Sequence, residues 1–125
     1  MEHIEKHLEI FRQVLDISET MEESLVYLRQ KTEELRPDKA MVVLMDTSQA
    51  LTAIETALEY VMPALPENHL EDKGQRLRHD IDSLMADVKH HQGQRTLEIL
   101  EHHLEPSFHG WKRELDRVLN PYILQ

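Results

Sequence analysis

The chain has 125 residues, no cysteine and a formal net charge of −10 at pH 7. This length predicts one domain over residues 1–125, and the lack of cysteine excludes disulfides, thiolate metal ligands and a cysteine nucleophile. The acidic balance, without a cluster of Lys and Arg along the sequence, argues against nucleic acid and anionic membrane surfaces as partners.

Two features bear on cellular location. The longest apolar run is AMVVLM at residues 40–45, far short of the ~20 residues that a membrane-spanning helix needs. The first ten residues, MEHIEKHLEI, are charged and lack an apolar centre, so we expect no signal peptide. Both features predict a soluble, cytoplasmic protein.

The first 36 residues predict one long helix, or two collinear helices. The apolar stripe drifts along the segment, which predicts supercoiling or a bend near residues 18–20, where Thr20 and Glu23 match a capping box. Pro37 is expected to end the helix, because a residue before proline avoids helical geometry. The stripe begins with Ile4, Leu8, Phe11 and Leu15.

Residues 38–65 carry few charges, so we expect the most buried helix there. The stretch AMVVLM is also compatible with a strand, but no other segment offers a strand partner, and the apolar positions keep a helical phase. The segment MPALPEN at 62–68 breaks the chain, and Asn68 is placed to cap the next helix.

Two further helices complete the prediction. In the third, Gly74 stands on the apolar seam, where it either permits close helix approach or marks a frayed first turn, and Gly93 ends the helix. The fourth spans about 94–120 and is closed by Pro121, with Phe108 and Trp111 expected against the second helix. Its apolar face comprises Leu97, Leu100, Leu104, Phe108, Trp111, Leu115 and Val118.

Short connections between amphipathic helices predict an all-α chain folded as an antiparallel four-helix bundle with a long N-terminal helix and coiled-coil-like packing. No Gly-rich phosphate loop or His-Glu-x-x-His motif occurs, and Ser48 and Ser107 have no recognisable base. We therefore expect neither an enzyme nor a cofactor.

The stretch LEHHLEPSFHGW at 100–111 is the one region whose residue types suggest a metal-binding or catalytic site. At 100° per residue, a ladder of acids and histidines falls on one polar flank of the fourth helix. One interpretation is a metal or pH-sensitive site, since imidazole and carboxylate one turn apart can share an ion. The other, which we favour, is a solvated flank with weak acid–base pairs. The four weak metal candidates are Glu98, His102, Glu105 and His109.

The spans LPENHLEDKGQRL and ILEHHLEPSFHGWKRELDRVLNPYI, together with IETALEY, resemble an uncharacterised family of small acidic helical proteins from Bacillus-like bacteria. The resemblance covers roughly residues 40–124 and rests on an L-x-P-x-F-x-x-W helix followed by E-L and P-Y. It implies a helical fold and no particular activity. The residues that fill the pattern are Leu104, Pro106, Phe108, Trp111, Glu114, Leu115, Pro121 and Tyr122.

The hypothesis favoured by these observations is a non-catalytic adaptor or chaperone-like protein that binds another protein through helix faces. The alternative is a histidine-based metal-binding or pH-responsive bundle. The first helix is longer than its partners, so its apolar first turns are expected to overhang and to bury themselves in a homodimer or against another protein. The expected contact residues are Ile4, Leu8 and Phe11.

Overall fold

The computed structural model describes residues 2–91 and 95–123, with side chains described over 7–90 and 95–123. All regular structure in these ranges is helical, which confirms the all-α prediction. Helix α1 is Glu2–Glu33, α2 is Pro37–Val61 followed by a 3₁₀ turn at Met62–Ala64, and α3 is Leu70–His91. Helix α4 joins Thr96–Ile99, a π-helical turn at Leu100–Leu104, and Glu105–Ile123.

The four helices form a closed bundle. Helices α1 and α3 each pack against α2 and α4, so the core lies between two pairs of neighbours. Cross-helix contacts show that α1 and α4 run antiparallel: Phe11 packs on Tyr122, while Lys112 Nζ lies 3.0 Å from Glu19 Oε1. Within the described ranges, no helix combines the length and apolarity required to cross a bilayer.

Helix α1 passes through residues 18–20 without a break. The Thr20 hydroxyl donates to the Asp16 carbonyl at 3.2 Å, and the buried Ser18 hydroxyl donates to the Leu15 carbonyl at 2.7 Å. Both hydroxyls therefore bond backward within the helix, so the predicted capping box at Thr20 is wrong and the first segment is a single helix.

The expected overhang is absent at Phe11, which is only 1% exposed. Its ring lies 5.4 Å from that of Tyr122, and Leu8 is half-buried against the same core. The prediction that Phe11 contacts a partner is therefore wrong, because the bundle itself covers this side chain. Ile4 lies outside the described side chains.

The turn between α1 and α2 is a Schellman motif. Arg36 N–H donates to the Lys31 carbonyl at 2.9 Å and Leu35 N–H to the Thr32 carbonyl at 3.1 Å. Leu35 adopts the left-handed conformation, with φ of 57°. Pro37 then stands in the first turn of α2, where its missing N–H costs nothing.

Helix α3 begins with two caps. The Asn68 side chain accepts the Leu70 N–H at 3.0 Å, as predicted, and Glu114 of α4 accepts the His69 N–H at 2.7 Å. Gly74 is buried within α3 beside Trp111, so it does not mark a frayed first turn, and a Cβ there would lie at ordinary contact distance from the indole. The expected end at Gly93 lies outside the described residues.

The π turn of α4 precedes Pro106. Proline lacks an N–H and crowds the carbonyl four residues back, and a widened turn accommodates both effects. Glu105 N–H accordingly donates to the Leu100 carbonyl, five residues earlier. The extra residue rotates the start of α4, so Thr96 is buried and Leu97 is exposed, contrary to prediction.

The C-terminal half of α4 supplies the largest core side chains. Phe108 and Trp111 are buried, as predicted, but α4 packs on α1 and α3 and lies diagonally across the bundle from α2. Trp111 lines a cavity together with Leu58 of α2 and also lies beside Gly74 of α3. Helix α4 also continues past Pro121, which lies within its last turn.

Candidate functional site: a basic groove between α3 and α4

A groove of about 360 Å³ runs between α3 and α4. Lys73 and Arg76, one turn apart, form the α3 wall, while His102, His103 and Arg113 form the α4 wall. We call this the basic groove; its full lining is Lys73, Arg76, His102, His103, Pro106, Ser107, Gly110, Trp111 and Arg113. No carboxylate occurs in that lining, in a chain whose net charge is −10.

The three permanent cations of the basic groove are not neutralised locally. Lys73, Arg76 and Arg113 are exposed, and none forms an ion pair with a residue in the described part of the chain. By contrast, the Arg78 guanidinium, on the opposite flank of α3, donates to Ser48, Thr52 and Glu55 of α2. The basic groove therefore keeps its positive potential for an external anion.

Close helix approach shapes the floor of the basic groove. A Cβ placed on Gly110 would lie 3.9 Å from Lys73 Nζ, so the absence of a side chain there leaves the lysine room over α4. Ser107 donates its hydroxyl hydrogen to the Asp80 carboxylate, which ties α4 to α3 beside the groove. This bond occupies Ser107 and involves no histidine.

An adjoining depression shares part of the wall. It is lined by Asp72, Lys73, Arg76, His79, Asp80 and His103. Two carboxylates, Asp72 and Asp80, lie in this depression, but neither forms an ion pair with Lys73 or Arg76.

The four weak metal candidates do not converge. Glu105 Oε2 accepts Arg29 Nε–H at 3.2 Å, and Glu98 lies 3.5 Å from Arg95 Nη2. His102 turns toward the basic groove, and His109 stacks edge-on against Phe108. Within the described ranges, no three His, Asp or Glu side chains are grouped closely enough to hold a metal ion.

Arg29 of α1 explains the position of Glu105. Its guanidinium donates to Glu101 Oε1 at 2.8 Å and to both oxygens of Glu105, and these hydrogen bonds raise the pKa of Arg29. Glu101 and Glu105 are thus structural acids that join α4 to α1. The predicted polar flank is split, with Glu105 facing α1 and His102 facing α3.

The cations of the basic groove were not identifiable along the sequence. Lys73 and Arg76 precede Arg113 by more than thirty residues, and the two segments meet only because α3 and α4 pack side by side. Once it is known that α4 packs beside α3, the helical phases of the two helices predict that Lys73 and Arg76 face the same groove as Arg113. The sequence indicates a possible role for His102, but it does not indicate that His102 shares a groove with Lys73 and Arg76.

Comparison with known proteins provides a family but no activity. No curated protein and no solved structure matches the chain. A family model described as a domain of unknown function, DUF8042, matches residues 9–114, which include α2, α3, the basic groove and most of α1. The chain therefore belongs to the DUF8042 family.

Proposed function

We propose that the chain is a non-catalytic protein-binding module, an adaptor or chaperone-like protein, whose basic groove takes an acidic segment of a partner protein. The observation that carries this proposal is the set of three uncompensated cations, Lys73, Arg76 and Arg113, in a groove without carboxylates. Two walls from different helices suit a narrow extended peptide, whose carboxylates would meet cations on both sides.

The overall charge supports a short acidic peptide over a large polyanion. Outside the basic groove the chain is strongly acidic, so a membrane surface or a nucleic-acid duplex would meet repulsion over most of its contact area. A peptide confined to the groove avoids that repulsion. We place this activity in the bacterial cytoplasm and favour a different protein over a second copy as partner, since Phe11 is covered within the bundle.

The test is the binding of a fluorescently labelled hexaglutamate peptide, followed by anisotropy at low and physiological salt. In the groove variant, Lys73, Arg76 and Arg113 are each replaced by Glu, and we expect affinity to fall at least tenfold. In the matched control, Arg12, Lys39 and Lys89 are each replaced by Glu. These cations are also exposed and unpaired within the described residues, and the control has the same net charge as the groove variant.

The control should lose less than threefold in affinity. Equal losses in the two triple variants would overturn the proposal, because net charge alone would then govern binding. Tighter binding of a single-stranded oligonucleotide than of the peptide would also overturn it.

His102 and His103 favour a second candidate function, pH-responsive binding in the same groove. Imidazole side chains gain positive charge as the pH falls below neutrality, so protonation would add positive charge to the α4 wall. The other charged groups of the groove lining are Lys73, Arg76 and Arg113. The adjoining depression, which His103 also lines, adds Asp72, His79 and Asp80.

Hexaglutamate should accordingly bind more tightly at pH 6 than at pH 7.5, and replacing His102 and His103 by Gln should remove most of that difference. Replacing His90 and His109, which lie outside the groove lining, serves as the control. An unchanged pH profile in the His102 and His103 variant would overturn this second candidate.

A further inference from the structure

A second cavity, of about 350 Å³, opens between α2 and α3. Its floor is apolar and includes Leu58, Leu70 and Trp111, and its rim carries Glu59 and Glu71. Gly74 is a buried residue of the same lining. We call this cavity the indole pocket, because the only tryptophan of the chain lines it. Its size is suited to a small organic molecule.

Gly74 keeps the indole pocket open. It lies inside α3, where glycine weakens a helix relative to alanine. A Cβ at this position would lie 3.7 Å from Trp111 Nε1 and 3.9 Å from Cδ1, both ordinary contact distances. Packing therefore does not require glycine here, and the absent methyl group leaves the pyrrole edge of the indole facing the pocket.

The indole N–H is an unused hydrogen-bond donor. Trp111 is 99% buried, yet its Nε1 makes no hydrogen bond to any residue in the described part of the chain. The described side-chain atoms that are both fully buried and unpaired are His7 Nδ1 and Asp87 Oδ1, so Trp111 Nε1 keeps some accessible surface toward the pocket. The donor is therefore available to an oxygen atom of a bound molecule.

The rim adds a negative charge that is not neutralised. Glu59 and Glu71 are exposed and form no ion pair with a described cation, whereas Glu55, also on the rim, lies 2.6 Å from Arg78. Two free carboxylates above an apolar floor are complementary to a cation that carries an apolar group.

We propose that the indole pocket binds a small amphipathic organic cation that also carries a carbonyl or hydroxyl oxygen. The ammonium group lies between Glu59 and Glu71, the apolar group packs on Leu58 and Leu70, and the oxygen accepts the Trp111 N–H. This chemistry occurs in free amino amides and amino alcohols, and also at the N-terminus of a peptide. The proposal is independent of ligand binding in the basic groove.

The probe is L-leucinamide, which has the three required groups, and the readout is the fluorescence of Trp111. Because Trp111 also lines the basic groove, the titrations are made in the groove variant, in which anions have no cationic site there. We expect a saturable change in emission. N-acetyl-L-leucine keeps the apolar group and the carbonyl but is an anion, so it should produce no saturable change. A failure of leucinamide to bind at millimolar concentration, or equal binding of the anion, would overturn the proposal.

Matched variants test the geometry. Gly74→Ala places a methyl group beside Nε1 and should weaken leucinamide binding at least tenfold without lowering the melting temperature. Gly110→Ala is the control. Gly110 also lies in a helix and precedes Trp111 in the chain, but it lines the basic groove and not the indole pocket. Similar losses in both variants, or no loss in Gly74→Ala, would overturn the assignment.

The charge of the rim is tested separately. Replacing Glu59 and Glu71 by Gln should weaken leucinamide binding at least fivefold, while replacing the exposed Glu22 and Glu23 should have little effect. Equal effects of the two pairs would overturn the role of the rim. A Leu-Gly-Gly amide then distinguishes the two sources: binding as tight as that of leucinamide supports a peptide N-terminus, and weaker binding supports a free amine.

Discussion

At the scale of single residues, two carboxylates cap helices to which they do not belong. Glu114 of α4 accepts the His69 N–H at the start of α3, and Asp87 of α3 accepts the Arg95 N–H and the Thr96 hydroxyl at the start of α4. Each places a negative charge at the positive end of a helix dipole. The two helices that form the basic groove are thus fixed at both N-termini by each other.

Glu114 makes stability depend on pH. Its hydrogen bonds with Arg117, and next the His69 N–H, lower the pKa of this carboxyl to about 2, against a burial effect that raises it. A carboxyl whose pKa is lower in the folded chain than in the unfolded chain stabilises the fold at pH values above the unfolded pKa, here near 4.5. That contribution is lost as the pH falls toward 2. We expect a contribution on the order of 2 kcal/mol, because the Arg117 side chain is largely exposed and screened.

Urea unfolding of the natural chain and of Glu114→Gln between pH 2 and pH 6 measures this. The Gln variant should be less stable at pH 6, and the gap should close as the pH approaches 2. Asp46→Asn, at an exposed carboxylate without an ion pair in the described residues, is the control and should show no such gap. A gap that stays constant with pH would contradict the assignment.

At the scale of elements, the turn between α1 and α2 carries strain. Leu35 holds φ of 57°, which costs a residue with a Cβ roughly 1 kcal/mol, and its side chain is 83% exposed and contributes little packing. Leu35→Gly should therefore raise the free energy of unfolding by about 0.5–1 kcal/mol, net of the greater freedom of glycine in the unfolded chain.

Chemical denaturation of Leu35→Gly and Leu35→Ala tests the cause. Alanine removes the exposed side chain but keeps the Cβ, so it should leave stability within about 0.5 kcal/mol of the natural chain. An equal gain in both variants would mean that the leucine side chain, and not the backbone conformation, is the unfavourable feature.

The helices themselves were predictable from the sequence, because apolar periodicity and the proline positions are local signals. The core positions of Leu100, Leu104 and Leu115 follow from that periodicity and are confirmed. The π turn before Pro106 was not predictable as such, since a proline in a helix can cause a bend or a widened turn. The one extra residue in the π turn shifts the helical phase, which explains why Thr96, and not Leu97, lies in the core.

At the scale of the whole molecule, the arrangement of charge depends on which helices are neighbours. The sequence predicts a net charge of −10 but not that Lys73, Arg76 and Arg113 meet in one groove, because that meeting requires α3 to pack beside α4. The sequence likewise does not predict that α4 packs beside α1 and α3. Helix pairing is a long-range property, and a single amphipathic stripe does not specify it.

Helix lengths determine whether α1 overhangs the bundle. At 1.5 Å per residue, the 32 residues of α1 span about 48 Å, and α4, from Thr96 to Ile123, spans about 42 Å. The two antiparallel helices are thus closer in length than the sequence predicts, and Tyr122 at the end of α4 reaches Phe11. Leu8 and Phe11 of α1 therefore pack within the chain.

Phe11→Ala should therefore lower the free energy of unfolding by about 3–5 kcal/mol, the usual cost of removing a fully buried aromatic ring. Val26→Ala, at a position on the same helix that is 70% exposed, should cost less than about 0.5 kcal/mol. Urea unfolding measures both, and light scattering of the folded variants should give the same molar mass as the natural chain. A Phe11→Ala protein that keeps its stability but dissociates into smaller particles would instead place this ring in a subunit interface.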